Sequence, residues 1–328
     1  MSEPVATLGL VDTSVASLAA DVRYYLTQAP RQLPSSALYD ALGSALFDAI
    51  CELPWYPVTR AERRLIAAHR REIIATAGPP QRLVELGGGN GVKLRLLLGD
   101  PGDPVTAPIR RIDLVDVSPS ALAAASRLVG EGRDVRIVSH THRYEDGLLR
   151  ATATRGRAER CAVLFLGSNI GNFDPPAARA FLHTVRAALR KDDCLIIGAD
   201  LVKPAPVLQD AYDDPLGVTA AFNKNLLLHL NRDLGANFDI TAFDHKAVWN
   251  EDDSRVEMHL VSRRAQRVSL PLTGLTIVLA EGETIWTESS YKYSVEQFTA
   301  LLTGAGFAVP RHFVDDEGQF VLMIAAVS

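Results

Sequence analysis

The residues whose types and spacing most clearly suggest chemistry lie in "LVELGGGNGVK", residues 83–93. Glu85 is followed by Gly87, Gly89 and Gly91 at alternate positions, directly after an apolar run. Glycines spaced this way let a backbone turn and approach a bulky ligand closely, because no Cβ fills the gap. The dinucleotide fingerprint G-x-G-x-x-G/A requires a small third residue where this chain has Val92. Asp116 closes a second apolar run in "LVDVS", a position from which a carboxylate accepts from both hydroxyls of a ribose.

A ligand lacking a pyrophosphate does not need a helix N-terminus held against it. The spacing Glu85-x-Gly87-x-Gly89-x-Gly91, together with Asp116, looks like the turn that holds S-adenosylmethionine (SAM), which is preferred here to NAD. A glycine turn that only packs a helix against a strand is the plainer alternative. His140 and His142, two apart, offer a metal-ligand pair without a third ligand, and no metal is expected. Cys51, Cys161 and Cys194 are odd in number and widely separated, which suits a reducing cytoplasm and gives no disulfide framework.

The elements that must position these groups follow from periodicity. From residue 82, short apolar runs alternate with helical patterns: "RLVEL", "RIDLVDVS", "DVRIVSH", "CAVLFLGSNIGNF" and "DDCLIIGADLV". That rhythm predicts a parallel sheet covered on both faces. Helices are expected over 13–28, 60–77 and in "PPAARAFLHTVRAAL". A helical stretch at 208–235 is interrupted by Pro215 and Gly217. "HKAVWNEDDSRVEMHLVSRR" reads as a hairpin around Asn250–Asp253, with strand candidates on either side of Gly282. The last segment reads as a helix and a terminal hairpin turning at Asp316–Gly318.

The expected fold is therefore α/β: a doubly wound, Rossmann-like SAM-dependent methyltransferase core ending in an antiparallel hairpin, plus a smaller α+β substrate-binding domain. The core is assigned to 61–202 and 293–328, the smaller domain to 8–60 and 203–292. The inserted segment sits beside the carboxyl ends of the strands, where open α/β sheets bind ligands.

Bulk properties narrow the function. The chain has 328 residues, 47% of them hydrophobic and 22% charged, with a net charge of −5. No basic excess points to nucleic acid, and no apolar run approaches the roughly 20 residues of a membrane span. The stretch "MSEPVATLGLVDTS" lacks the basic-then-apolar order of a signal peptide. A cytoplasmic monomer acting on a small molecule is expected.

Further motifs carry a specific resemblance: "LYDALGSALFDAI" with "LPWYPVTRAE", "FLGSNIGNF", "ADLVK" with "AYDDPLGVTAAFNKN", "RVEMHL" and "TESSYKYS". Spread over residues 38–293, they resemble the histidine Nα-methyltransferases of ergothioneine biosynthesis. The resemblance implies SAM as cofactor, an amino-acid substrate, and trimethylhistidine (hercynine) as product. It places Asn172 and Tyr212 on the substrate carboxylate, Tyr39 and the Gly167 carbonyl near the reacting amine, and Phe47 and Tyr56 beside the imidazole. Glu288 and Ser290 match the pair that grips the ring; two apart on a strand, they point the same way. Met258 would form a soft wall beside the ring, and Thr219 would hold a water to it.

On the cofactor side the resemblance carries over Gly87, Lys93 and Asp116. The family's acidic residue after the third strand is missing from "VSHTHRYEDGL". Thr141 or His142, or Tyr144-Glu145 through a shifted loop, are the candidates to replace it.

The implied reaction is direct displacement by the α-nitrogen, with no covalent enzyme intermediate. An α-amine titrates at roughly pH 8, so its free base is accessible without a strong general base. The Glu288, Ser290 and Met258 set favours histidine over tryptophan. Methylation of another small amine or amino acid, an NAD-dependent oxidoreductase, and a non-enzymatic SAM sensor remain as alternatives.

Overall fold

The computed structural model describes residues 13–327. Residues 8–12, assigned above to the smaller domain, lie outside the described residues, as does most of the stretch read as lacking a signal peptide.

Three helices come first: α1 (Thr13–Leu26), α2 (Ala41–Glu52) and α3 (Pro57–Thr76). The alternating region then gives β1 (Arg82–Leu86), α4 (Val92–Leu98), β2 (Arg111–Asp116), α5 (Pro119–Gly130), β3 (Arg136–Thr141), α6 (Tyr144–Ala153), β4 (Cys161–Phe165), α7 (Pro175–Ala188) and β5 (Cys194–Asp200). The inserted region contributes α8 (Ala205–Tyr212), α9 (Val218–Leu234), β6 (Phe243–Asn250), β7 (Arg255–Ser262), β8 (Gln266–Leu270), β9 (Leu275–Leu279) and β10 (Thr284–Tyr291). The chain finishes with α10 (Val295–Gly304), β11 (Ala308–Asp315) and β12 (Phe320–Ala326).

One seven-stranded sheet runs β11-β12-β5-β4-β1-β2-β3. Its five strands from β1 to β5 are parallel, and β12 is antiparallel to both neighbours. This is a Rossmann-like SAM-methyltransferase topology. Every residue of β1, β4 and β5 is buried, as a central parallel strand covered on both faces requires. The edge strand β3 is largely uncovered. Two apolar cores flank the sheet: one contains Phe165, Phe181 and Phe298, while the other continues under β6, β7 and β10. A second sheet, β10-β7-β6, and a ribbon, β8-β9, complete the molecule.

Local chemistry sets the boundaries. Asp174 caps α7 by accepting from the Ala177 N–H at 2.7 Å, ahead of Pro175. Ser294 and Gln297 form a reciprocal capping box on α10. The interruption expected at Pro215 and Gly217 separates α8 from α9. There the Asp214 carboxylate accepts from the N–H groups of Leu216, Val218 and Thr219.

The structure adds three elements not foreseen: α2, β8 and α6. Residues 144–153, read only as following a loop, form α6. Tyr144 at its start packs edge-on against Phe165, with ring centroids 5.1 Å apart. That apolar contact anchors the helix and outweighs its weak periodicity.

Candidate functional site

Past the carboxyl ends of β1, β4 and β5, a narrow cavity is lined by Tyr39, Phe47, Tyr56, Gly167, Asn172, Tyr212, Thr219, Met258, Glu288 and Ser290. Every residue that the sequence assigned to the amino-acid substrate or the reacting amine lies on this one wall. Ile50, Ser168, Asn169, Ala211 and Phe222 line it as well and were not singled out in the sequence.

The aromatic side is built from four elements. Tyr39, just before α2, meets Phe47 of α2 at 5.6 Å and Phe222 of α9 at 5.5 Å between ring centroids. Phe47 meets Tyr56 at 6.3 Å, and Tyr56 meets Tyr212 at 6.2 Å. These edge-on pairs fix the rings without closing the space between them. Burial pushes the phenols of Tyr39, Tyr56 and Tyr212 above their ordinary range, so each stays a neutral hydroxyl.

The polar side comes from β10. Asn223, fully buried on α9, accepts from the Thr287 hydroxyl at 2.7 Å and donates to the His259 carbonyl at 3.1 Å. This holds β10 and β7 beneath α9. The same amide meets His245 Nδ1 at 2.9 Å, and His245 Nε2 lies 2.8 Å from the Tyr212 carbonyl. Glu288 and Ser290 consequently face the cavity, with Met258 opposite Glu288 on β7. Burial pushes the Glu288 carboxyl up to about 7, against the pull of Lys292 and the Tyr39 hydroxyl.

Beneath β10 lies a charged cluster that the sequence reading missed. Lys292 is 2% exposed. Its ammonium sits 2.9 Å from Asp200 Oδ2 and donates to Tyr212 Oη at 2.8 Å and Ser290 Oγ at 2.9 Å. Asp200 also binds Lys203 at 2.5 Å. The only sequence signal was a Lys in an otherwise apolar and hydroxylated strand end.

Gly167 closes the wall toward the cofactor side. Its φ is +80°, a left-handed backbone that favours glycine, and a Cβ there would stand 2.6 Å from Lys93 Nζ and displace the end of that side chain. Its N–H donates to Glu62 Oε1 and Oε2 at 2.9 and 2.8 Å. Glu62, fully buried on α3, is paired with Lys93 at 3.0 Å. It lies within the quoted "LPWYPVTRAE" but was not assigned a role.

The glycine turn follows β1. A Cβ on Gly87 would stand 2.8 Å from Asn169 Nδ2 and 2.9 Å from the Tyr144 hydroxyl, whereas one on Gly89 would meet nothing within 4 Å. Glu85 is buried at the base of the turn with both carboxylate oxygens unpartnered, and burial pushes it up to about 7. Asp116 accepts from the Ser118 N–H at 2.9 Å, and burial raises its carboxyl. Thr141 pairs with Asp116 across β2 and β3, and the His142 N–H donates to the Asp116 carbonyl at 3.2 Å. The open space over Gly89, an orphaned buried carboxylate at Glu85 and an acid at the end of the second strand suit the polar groups of SAM. His140 instead places Nε2 2.8 Å from Asp113, and no group of three His, Cys, Asp or Glu able to hold a metal occurs among the described residues.

A family described as histidine-specific, SAM-dependent methyltransferase matches residues 18–327. This chain belongs to that family. Histidine-specific methyltransferase relatives include histidine N-alpha-methyltransferases from Mycolicibacterium smegmatis, 40% identical over 99% of both chains, and from Mycobacterium tuberculosis, 39% identical over 96% of both. Ergothioneine biosynthesis protein 1 of Schizosaccharomyces pombe is 32% identical over 67% of this chain and 29% of its own length. Among the described residues of this family member, no helix is long and apolar enough to cross a membrane.

Proposed function

We propose that the protein is a SAM-dependent Nα-methyltransferase of L-histidine that forms trimethylhistidine for ergothioneine biosynthesis. The observation that carries this reading is the convergence of Glu288, Ser290, Tyr212 and Asn172 on one cavity walled by aromatic rings. Family membership and the two mycobacterial relatives support it.

Glu288 accepts from a ring N–H, and the charge-assisted bond favours imidazole over an indole. Ser290 takes the second ring nitrogen, and Met258 and Phe47 cover the ring faces. Asn172 and Tyr212 donate to the carboxylate. Tyr39 and the Gly167 carbonyl orient the amine; neutral oxygens there tolerate amine, methylamine and dimethylamine in turn. The glycine turn, Glu85, Lys93 and Asp116 hold SAM, with Thr141 or His142 at the adenine end. When bound, SAM supplies an electrophilic methyl group. The chain's own contribution is to align the α-nitrogen and exclude water.

In this reading the core, 61–202 with 293–328, holds the cofactor, and 8–60 with 203–292 supplies most of the amino-acid pocket. The protein acts as a cytoplasmic monomer without nucleic acid, in keeping with its net charge of −5 and three unpaired cysteines. The test is incubation with SAM and each amino acid in turn, followed by product mass. Histidine gaining three methyl groups is expected; conversion of tryptophan or another amine with histidine untouched overturns the substrate assignment.

A further inference from the structure

We infer that Asn169 is a further substrate-binding residue: its side-chain oxygen accepts from the α-amine, while its amide N–H ties that contact to the glycine turn. The inference deepens the proposed histidine reading. It rests on that reading's placement of the carboxylate at Asn172 and of the amine at the Gly167 carbonyl.

The backbone after β4 sets this up. Ser168 takes a left-handed φ of +61°. Its hydroxyl accepts from the Asp200 N–H at 2.9 Å, and its carbonyl accepts from the Gly171 N–H at 2.8 Å. Residues Asn169–Asn172 then form one 3₁₀ turn. A Cβ on Gly171 would stand 2.7 Å from the Tyr291 carbonyl, so the turn lies directly against β10. Residues i and i+3 of a 3₁₀ turn eclipse one another. Asn169 and Asn172 therefore share a side, and both line the cavity. The amine and carboxylate of an amino acid are carried on one carbon. Two neighbouring amides on one turn suit two neighbouring head groups.

The partner of the Asn169 amide fixes its orientation. Nδ2 donates to the Gly87 carbonyl at 3.2 Å. A carbonyl only accepts, so the NH2 end must face Gly87 and Oδ1 must face away from it. Oδ1 lies 3.8 Å from the place a Cβ on Gly167 would take, beside the residue whose carbonyl is assigned to the amine. It has no hydrogen-bond partner among the described residues, on a side chain that lines the cavity. The Tyr39 hydroxyl also serves Glu288, which leaves the amine in need of an acceptor of its own.

This acceptor distinguishes the three methylations. The attacking free-base amine carries two N–H groups in histidine, one in the monomethyl form and none in the dimethyl form. Asn169 Oδ1 therefore contributes most to the first transfer and nothing to the third. The bond from Nδ2 to Gly87 serves all three alike, because the turn holds the same cofactor each time.

The test measures kcat/KM at saturating SAM for histidine, Nα-methylhistidine and Nα,Nα-dimethylhistidine, with the unaltered enzyme and with Asn169→Ala. Comparing each substrate with itself cancels its own protonation. Comparing the losses between substrates cancels the amount of folded enzyme. Asn169→Ala should lower the value for histidine about 3- to 10-fold more than that for dimethylhistidine, the effect of one hydrogen bond, with the monomethyl substrate between them. Its affinity for S-adenosylhomocysteine, read by calorimetry, should also fall, through the lost bond to Gly87. Asn169→Leu, which fills the space but offers no acceptor, should behave alike and covers the case in which Asn169→Ala does not fold. Equal losses for the three substrates, or an unchanged affinity for S-adenosylhomocysteine, overturn the inference while histidine methylation by the unaltered enzyme stands. Failure of that enzyme to methylate histidine overturns the underlying reading and the inference with it.

Discussion

Tyr212 Oη lies 2.7 Å from Ser290 Oγ, although 78 residues separate them in the chain. One closes α8 and the other lies near the end of β10. Their bond joins the proposed carboxylate and ring ends of the pocket into one hydrogen-bonded unit, backed by Lys292. A substitution at either end is therefore expected to affect recognition of the whole substrate.

Glu288→Ala removes the charge-assisted bond to the ring but does not touch the glycine turn. Such bonds contribute about 1.5–3 kcal/mol, so the KM for histidine should rise by about 10- to 100-fold. SAM affinity should be unchanged when measured by direct titration. Equal weakening toward both ligands would contradict the assigned role.

Glu288→Gln should separate stability from activity. The native carboxyl titrates near 7 and the unfolded one near 4.5. As pH rises between these values, the unfolded chain gives up its proton first, so folding becomes progressively less favourable; above 7 the penalty is constant. Its upper size is about 3 kcal/mol. Glutamine never ionises, so ligand-free Glu288→Gln should melt higher than the native protein at pH 8 and nearly with it at pH 4.5. A Tm difference independent of pH would sink this account.

Glu62→Ala should be among the more damaging changes at a position with no direct place in the cavity. It orphans the Gly167 N–H and leaves Lys93 without its partner. Removing one member of a buried pair costs about 3–5 kcal/mol. Thermal melts should show the loss, and residual activity at low temperature should have a raised KM for histidine, since the Gly167 turn is no longer held. A variant as stable as the native protein would show that Glu62 does not brace this turn.

Asp116→Asn tests the cofactor side separately. A neutral amide in place of the carboxylate weakens acceptance from two ribose hydroxyls. The SAM dissociation constant should rise by about tenfold or more, read by calorimetry, with the KM for histidine at saturating SAM little changed. Unaltered SAM binding would remove Asp116 from the cofactor site.

Much of the fold was legible because it depends on local pattern. The apolar runs of β1, β4 and β5 are uninterrupted because both faces are buried, and the break between α8 and α9 falls where Pro215 and Gly217 stand. α6 was not legible: Tyr144 at its start packs against Phe165 of β4, a contact between elements 21 residues apart that periodicity does not show. The pocket residues were reached through motifs spread along the chain. Phe222 and Glu62 lie inside those motifs, yet each looks like an ordinary core phenylalanine or surface glutamate until its surroundings are known.

By itself, the sequence determined the strand order's building blocks and the glycine turn with Asp116, through residue type and short-range spacing. The side chains assigned to an imidazole and a carboxylate came instead from resemblance to a family, carried by motifs spread along the chain. Only the tertiary structure decided which of those groups touch and which are buried away from water. Burial of Glu288 and the meeting of Lys292, Asp200, Tyr212 and Ser290 arise from segments far apart in the chain. Hydrogen bonding and desolvation act over a few ångströms of space, whatever the distance along the sequence.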